Sequence, residues 1–186
     1  MDCGRTPEIP ERILTERLIL RRQLRSDAPQ VRTAVEESHA ELRRWLPWTK
    51  EIPSLEAIES YIVTTRSTWE LREQHMFHMF DFANRFIGYC GLERIDWALR
   101  GFEIGYWMRT SSTGKGYMTE AVKALESHVF EHCGCRRLMI CCDALNERSA
   151  AIPKRLGFEL EGILRNERLN VFGEPQDTMV WTKIGF

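Results

Sequence analysis

Residues 109–118, Arg-Thr-Ser-Ser-Thr-Gly-Lys-Gly-Tyr-Met, contain a polar loop with two glycines and no apolar anchor. Before it, Phe102, Ile104 and Tyr106 alternate with Glu103, Gly105 and Trp107, the period of a strand. After it, Met118, Val122, Leu125 and Val129 fall on one helical stripe. Strand, glycine loop and helix N-terminus make a phosphate site. First-turn amides lack helical partners, the dipole end is positive, and glycine lets the backbone come close. Two common phosphate loops fail on residue identity. A Walker loop needs glycine at position 109 and Ser or Thr after Lys115; Arg109 and Gly116 stand there. A dinucleotide fingerprint needs a third glycine where Thr119 stands.

Further on, Asn146 and Ser149 are spaced to share one edge of a helix near its start. Pro153 cannot donate to the carbonyl four residues back, that of Ser149. A kink or a solvated carbonyl is therefore expected beside that hydroxyl. His128-Val-Phe-Glu131-His132 matches a metalloprotease string. Its apolar residues serve the core, no third ligand is evident, and the string reads as a solvated helix face, so no metal is expected.

The elements that must position these residues follow from the pattern. Residues 1–11 read as a flexible tail, ahead of a single domain over 12–186. Ile13 to Arg22 reads as one strand. Ser26-Asp27 caps a helix to about Glu37, and His39 to Trp45 forms a short second one. Ser54 caps a third, from about Leu55 to Arg72. Gln74–Phe82 and Phe86–Ile95 form a hairpin that leads into the key strand. A helix from about Gly116 to Cys133 stops at Gly134. Arg137–Asp143 is nearly all apolar, as a strand covered on both faces should be. Asn146 caps a helix that ends at Leu156-Gly157. Phe158–Leu164 and Thr178–Ile184 close the sheet, with a long polar loop from Arg165 to Gln176 between them.

The 186 residues carry 43% hydrophobic and 28% charged side chains, the balance of an ordinary globule. The net charge of −1 gives no global drive toward nucleic acid or acidic membranes. No apolar run approaches the roughly 20 residues of a membrane span, and no signal-peptide core opens the chain. A cytoplasmic location is expected. The cysteines Cys3, Cys90, Cys133, Cys135, Cys141 and Cys142 form no C-x-x-C pair and read as free thiols.

The loop, with its flanks, resembles the acyl-CoA loop of the GNAT N-acetyltransferases, whose Gln/Arg-x-x-Gly-x-Gly/Ala pattern falls on Thr113-Gly-Lys-Gly116-Tyr-Met118. Gly116 matches; Thr113 and Met118 depart, as is common in the RimJ/RimL-type ribosomal-protein N-terminal acetyltransferases. Thr15-Glu-Arg-Leu-Ile-Leu-Arg21, Asn146, Ser149 and Leu156-Gly-Phe158 add matches in the same order. The resemblance implies an α/β (α+β) fold. Its central sheet is mixed and mostly antiparallel, of about six or seven strands, with helices on both faces and splayed at the acyl-CoA site.

It also implies an acetyl-CoA-dependent N-acetyltransferase acting on a primary amine, the N-terminal α-amine of a (ribosomal) protein being the acceptor of that subgroup. A small-amine or antibiotic acceptor and a non-catalytic acyl-CoA-binding module are the alternatives. The implied cofactor contacts are Trp107, Met108 and Arg109 along the pantetheine arm, Gly114, Lys115, Gly116, Tyr117, Met118 and Thr119 at the diphosphate, and Asn146 and Ser149. Lys115 either lies over the diphosphate or is solvated. Ser149 would protonate the leaving thiolate or be a bystander beside an N-cap. Glu103 would be the base, through water, or a structural carboxylate paired with an Arg. Trp45, Trp48 and Trp69 would wall the acceptor groove or lie in the core. Neither nucleic acid nor membrane is an expected partner, and the chain would act as a monomer or homodimer.

Overall fold

The structure is a computed structural model that describes residues 7–185; Cys3 and the first half of the expected tail lie outside them. The strands are β1 (Arg12–Leu14), β2 (Leu18–Arg22), β3 (His75–Asp81), β4 (Phe86–Asp96), β5 (Gly101–Met108), β6 (Arg137–Asp143), β7 (Glu159–Leu169) and β8 (Pro175–Ile184). The helices are α1 (Ala28–Leu42), α2 (Leu55–Glu70), α3 (Tyr117–His132) and α4 (Glu147–Arg155). One sheet of eight strands runs β1-β2-β3-β4-β5-β6-β8-β7. Every neighbouring pair is antiparallel except β5 and β6. Those two pair in parallel only from Gly101 to Glu103, against Arg137 to Met139. Beyond that point β5 stays with β4 as far as Met108, while β6 stays with β8 as far as Asp143. The sheet is therefore split between its two central strands.

Helices cover both faces. Val31 and Val35 of α1 and Ile58 and Ile62 of α2 pack on Phe80 and Phe86. On the other face Met118, Val122, Leu125 and Val129 of α3 pack among Leu92, Phe102, Ile104, Leu138 and Ile140. Burying such a side chain is worth about 1.5–3 kcal/mol. Met118 is the second residue of α3 and is 3% exposed, so core packing pins the helix N-terminus itself.

Several boundaries differ from the sequence reading, each for a local reason. Ile13–Arg22 is a hairpin rather than one strand. Thr15 and Leu18 exchange bonds across the turn, with Leu18 N donating to Thr15 Oγ1 at 3.0 Å and Thr15 N to Leu18 O at 3.0 Å. Within the expected tail, Ile9 is buried and Arg22 N donates to Glu11 O at 2.8 Å. α1 runs unbroken to Leu42, because nothing between Glu37 and His39 stops it. The Asp27 side chain does not cap α1: it takes bonds from Arg21 and the Leu24 amide and pairs with His78 Nδ1 at 2.7 Å. Ser54 does cap α2, accepting from Ala57 N at 3.2 Å. The expected 165–176 loop is mostly strand, since β7 and β8 pair out to Leu169 and Pro175.

Candidate active site

The glycine loop turns onto α3 as its residue types require. Gly114 and Gly116 hold φ of +76° and +79°, a conformation that costs glycine little and other residues more. Among the described residues, the amides of Gly114, Lys115, Gly116, Tyr117, Met118 and Thr119 donate to no protein acceptor. Six main-chain donors thus stand unpaired at the positive end of a 16-residue helix.

Neighbouring groups fix this cradle from several sides. Arg17 donates to Lys115 O at 2.9 Å and to Glu120 at 2.7 Å, and its guanidinium lies 4.8 Å from the Tyr117 ring centroid. Glu120 also accepts from Thr15 Oγ1 at 2.6 Å, which ties the β1–β2 turn to α3. Glu37 accepts from Ser111 N at 2.8 Å and pairs with Arg109. The Arg109 bond, outweighing desolvation, holds the Glu37 carboxyl at about 2. Lys115 Nζ folds back onto Ser111 O at 3.0 Å, and Arg155 donates to Thr119 Oγ1 at 2.8 Å.

The split in the sheet opens beside the cradle. In an antiparallel ladder alternate residues aim their main-chain groups at opposite edges. Arg109 N donates to Ile87 O at 3.1 Å, and Trp107 stands opposite Tyr89, so both belong to the β4 side. The intervening residues, Met108 and Tyr106, present their amides and carbonyls to the gap. Of the three residues expected along the pantetheine arm, Met108 alone offers main-chain groups there. Arg109 works through its side chain on Glu37 instead.

Across the gap begins α4. Asn146 is its N-cap and accepts from Ser149 N at 3.0 Å. Ser149 Oγ donates to the Tyr106 hydroxyl at 3.2 Å, which donates to Ser149 O at 3.0 Å. The carbonyl left without a helical donor by Pro153 is thus taken by a phenol rather than by solvent. Burial raises the Tyr106 pKa above the ordinary phenol range, against the Ser149 bond. Tyr106 was not singled out from the sequence. Its parity placed it toward the core, and its role exists only because β6 diverges beside it.

On the α1–α2 face a cavity of about 350 Å³ reaches this junction. Its walls include Trp48, Tyr61, Tyr89, Tyr106 and Trp107, with one carboxylate, Glu93. The rings of Trp48 and Trp107 lie 5.8 Å apart. Of the three tryptophans expected at an acceptor groove, Trp48 lines this cavity and Trp45 does not. Trp69 is in the core, its ring edge-on to Phe77 at 5.1 Å and to His75 at 4.6 Å.

Glu103 points elsewhere. It lines a second, polar cavity of about 470 Å³ with Arg94, Arg168 and Glu167. Its Oε2 lies 3.6 Å from Arg94 Nε, and no hydrogen-bond donor reaches that oxygen.

The sequence's histidine string lies at the far end of α3, whereas Cys142 sits beside the Ser149–Tyr106 pair. The rings of His128 and His132 lie 4.9 Å apart, tilted by 57°, and His128 Nε2 lies 3.4 Å from Glu8 O. Among the described residues no three His, Cys, Asp or Glu side chains converge on a point that could hold a metal ion. Cys90, Cys133, Cys135 and Cys142 are buried free thiols and Cys141 is half-buried. No helix among the described residues is long and apolar enough to cross a membrane.

Comparison with known proteins gives the following. A family model described as Acetyltransferase (GNAT) domain matches residues 17–159. The ribosomal-protein-serine acetyltransferase of Escherichia coli is 30% identical over 124 residues, 67% of this chain and 69% of that protein. The structure of RimL, a ribosomal alpha-N-protein acetyltransferase in complex with coenzyme A, superposes with a TM-score of 0.88 at 26% identity, covering 94% of this chain and 98% of that one. An acetyltransferase of Salmonella typhimurium, which modifies the N-terminal serine of a 50S ribosomal subunit protein, superposes with a TM-score of 0.83 at 25% identity over 91% and 96% of the two chains.

Proposed function

Because the chain belongs to the GNAT acetyltransferase family, we propose that it moves the acetyl group of acetyl-CoA onto the N-terminal α-amine of a protein. The observation that carries the reading is the set of unpaired amides from Gly114 to Thr119 beside a parted pair of strands. In this reading those amides hold the CoA diphosphate. The arm lies in the gap, against the main-chain groups of Met108 and Tyr106. RimL, whose structure resembles this one, was solved with coenzyme A, which supports the choice of ligand.

Transfer forms a C–N bond and breaks a C–S bond. The departing thiolate takes a proton from the Ser149–Tyr106 hydroxyl pair, which sits where the gap meets the cavity. Asn146 caps α4 and so fixes the height of Ser149. Thr119 and Lys115 flank the cradle, and Trp48 and Trp107 wall the approach of the acceptor. An α-amine, with a pKa of about 7.7–8.0, gives up its proton more readily than a lysine near 10.4. Relatives named for ribosomal-protein N-termini favour the same acceptor class. A small amine is the second reading, favoured by a cavity of about 350 Å³, in the range of small-molecule sites.

The test is an acceptor screen by mass spectrometry, with acetyl-CoA, lysine-free peptides of varied first residue and small primary amines. Acetylation confined to peptide N-termini is expected. Product on small amines alone moves the acceptor to the second reading. No product on either panel, with CoA bound, ends the enzymatic assignment.

A further inference from the structure

We propose that the Glu93 carboxylate, set at the floor of the aromatic cavity by a β-bulge, docks the acceptor's ammonium and takes its proton, so that the acceptor is a primary amine carried on an apolar body. The proposal rests on the acetyl-transfer reading above and names the base and acceptor chemistry of that same site.

The register between β4 and β5 shifts between Leu92 and Arg94, which makes Glu93 the extra residue of the bulge. Bulges re-aim a side chain, and here the aim is specific. A Cβ built on Gly105 would collide with the Glu93 carboxylate, so that carboxylate lies directly over Gly105. Gly105 is glycine because the space above it is taken. Tyr89 Oη donates to Glu93 Oε1 at 3.2 Å. Among the described residues Glu93 is the sole carboxylate lining the cavity, and no cation there forms an ion pair with it. A cavity with aromatic walls and one unneutralised carboxylate complements an ammonium on an apolar stem.

Position along the strand separates Glu93 from Glu103. Gly105 precedes Trp107 by two residues on the same face, about 7 Å. A carboxylate above Gly105 reaches an amine beside Trp107 directly or through one water. Glu103 is two residues further back, about 13 Å from Trp107, and opens into the other cavity. Burial raises the Glu93 pKa, and the charge of Glu103 raises it further; Tyr89 and Arg94 act the other way. Tyr61 of α2 and Cys90 of β4 also feel the Glu93 charge, and His78 of β3 and Tyr106 of β5 line the same cavity. A carboxylate moved up toward neutral pH is better matched to an ammonium proton than an ordinary one.

The protons balance. The ammonium gives one proton to Glu93, and the neutral nitrogen adds to the thioester carbonyl. The C–S bond breaks and the thiolate takes a proton from the Ser149–Tyr106 pair. The nitrogen's second proton restores that pair through water, and Glu93 returns its own to solvent. One proton is released per turnover.

The test uses a lysine-free peptide that begins with phenylalanine, titrated into CoA-saturated protein by calorimetry and then assayed with acetyl-CoA. Glu93→Gln should weaken amine binding at least tenfold with CoA affinity unchanged. It should also lower kcat/KM by roughly 10²–10⁴ and abolish the acid limb of its pH profile. Amine binding and turnover within twofold of the unsubstituted enzyme overturn the proposal. Absence of amine binding to the unsubstituted enzyme overturns it as well. Glu93-dependent binding without any acetylated product instead sinks the acetyl-transfer reading and leaves the docking site standing. Should Glu93→Gln fail to fold, Ala57→Trp plugs the cavity from α2 without touching the carboxylate. It should raise KM for the amine at unchanged CoA affinity, and an unchanged KM overturns the cavity as the amine's site.

Discussion

Tyr106→Phe tests the junction between the gap and α4, and its cost can be worked from the structure. The phenol donates to Ser149 O at 3.0 Å and accepts from Ser149 Oγ at 3.2 Å. Pro153 lies inside α4 and provides no N–H for that carbonyl. Removing the hydroxyl leaves a part-buried acceptor without a donor, at a cost of about 1–3 kcal/mol. In a chain of this size each kcal/mol moves Tm by roughly 2–4 °C. Pro153→Ala restores an amide four residues after Ser149, so in that background the carbonyl regains a helical donor. Tyr106→Phe should then cost about 1 kcal/mol less than in the parent chain. Urea denaturation of the four proteins measures the difference, and the packing lost with the proline ring cancels around the cycle. If Tyr106→Phe costs the same in both backgrounds, the phenol is not standing in for the missing helical amide, and its tie to Ser149 needs another explanation.

Three further outcomes are expected. Gly116→Glu should weaken CoA binding at least a hundredfold by calorimetry. It forces a side chain into φ +79° beside Arg17 and puts a negative charge on the cradle; affinity within a few-fold of normal would contradict the loop assignment. Ser149→Ala should lower kcat at least about tenfold while CoA affinity stays within a few-fold, and an unchanged kcat removes its role as proton donor. Asp27→Asn should flatten the acid limb of stability. Burial opposes the charged form of Asp27, yet bonds from His78, Arg21 and the Leu24 amide hold its carboxyl at about 2 against an ordinary 3.8. A depressed carboxyl stabilises above its unfolded pKa and loses that contribution as pH falls through the folded one. About 2 kcal/mol should therefore disappear between pH 4 and 2 in the parent chain and not in the variant. An unchanged slope of unfolding free energy against pH would exclude Asp27 as its source.

The parts of the site legible in sequence are those set by backbone chemistry. Glycines at 114 and 116 ahead of a 3.6-residue apolar stripe dictate a loop turning onto a helix, whatever surrounds it. Pro153 announces an unserved carbonyl from its missing N–H alone. The illegible parts depend on pairing between distant segments. Residues 15–17 turn without glycine or proline, so the β1–β2 hairpin left no local mark. Arg165 to Gln176 are polar because β7 and β8 face solvent there, which hides their strand character. Glu93 gives no signal of its own, since a bulge is defined only by the register of a partner strand. Glu103 was the more visible carboxylate because simple alternation reached it, and alternation does not say where the neighbouring strand ends.

Three breaches of regular structure meet at Tyr106, and their coincidence argues that the site and the fold were shaped together. β5 loses its β6 partner after Glu103, which exposes the Tyr106 main chain. β4 bulges at Glu93, which sends a carboxylate over Gly105, the residue before Tyr106. α4 carries a proline that frees the carbonyl Tyr106 binds. Each breach costs stability when taken alone: unpaired strand edges, an unmatched bulge residue, a lost helical bond. Register also shifts between Met79 and Phe80 and twice along β7 and β8, but at Tyr106 three breaches of different kinds meet. Local violations without a structural return collect where function demands them. In the proposed mechanism each one supplies a group the transfer needs: a slot for the arm, a base for the amine and a hydroxyl pair for the thiolate. Closing the bulge or the split should therefore raise stability or leave it unchanged while slowing turnover.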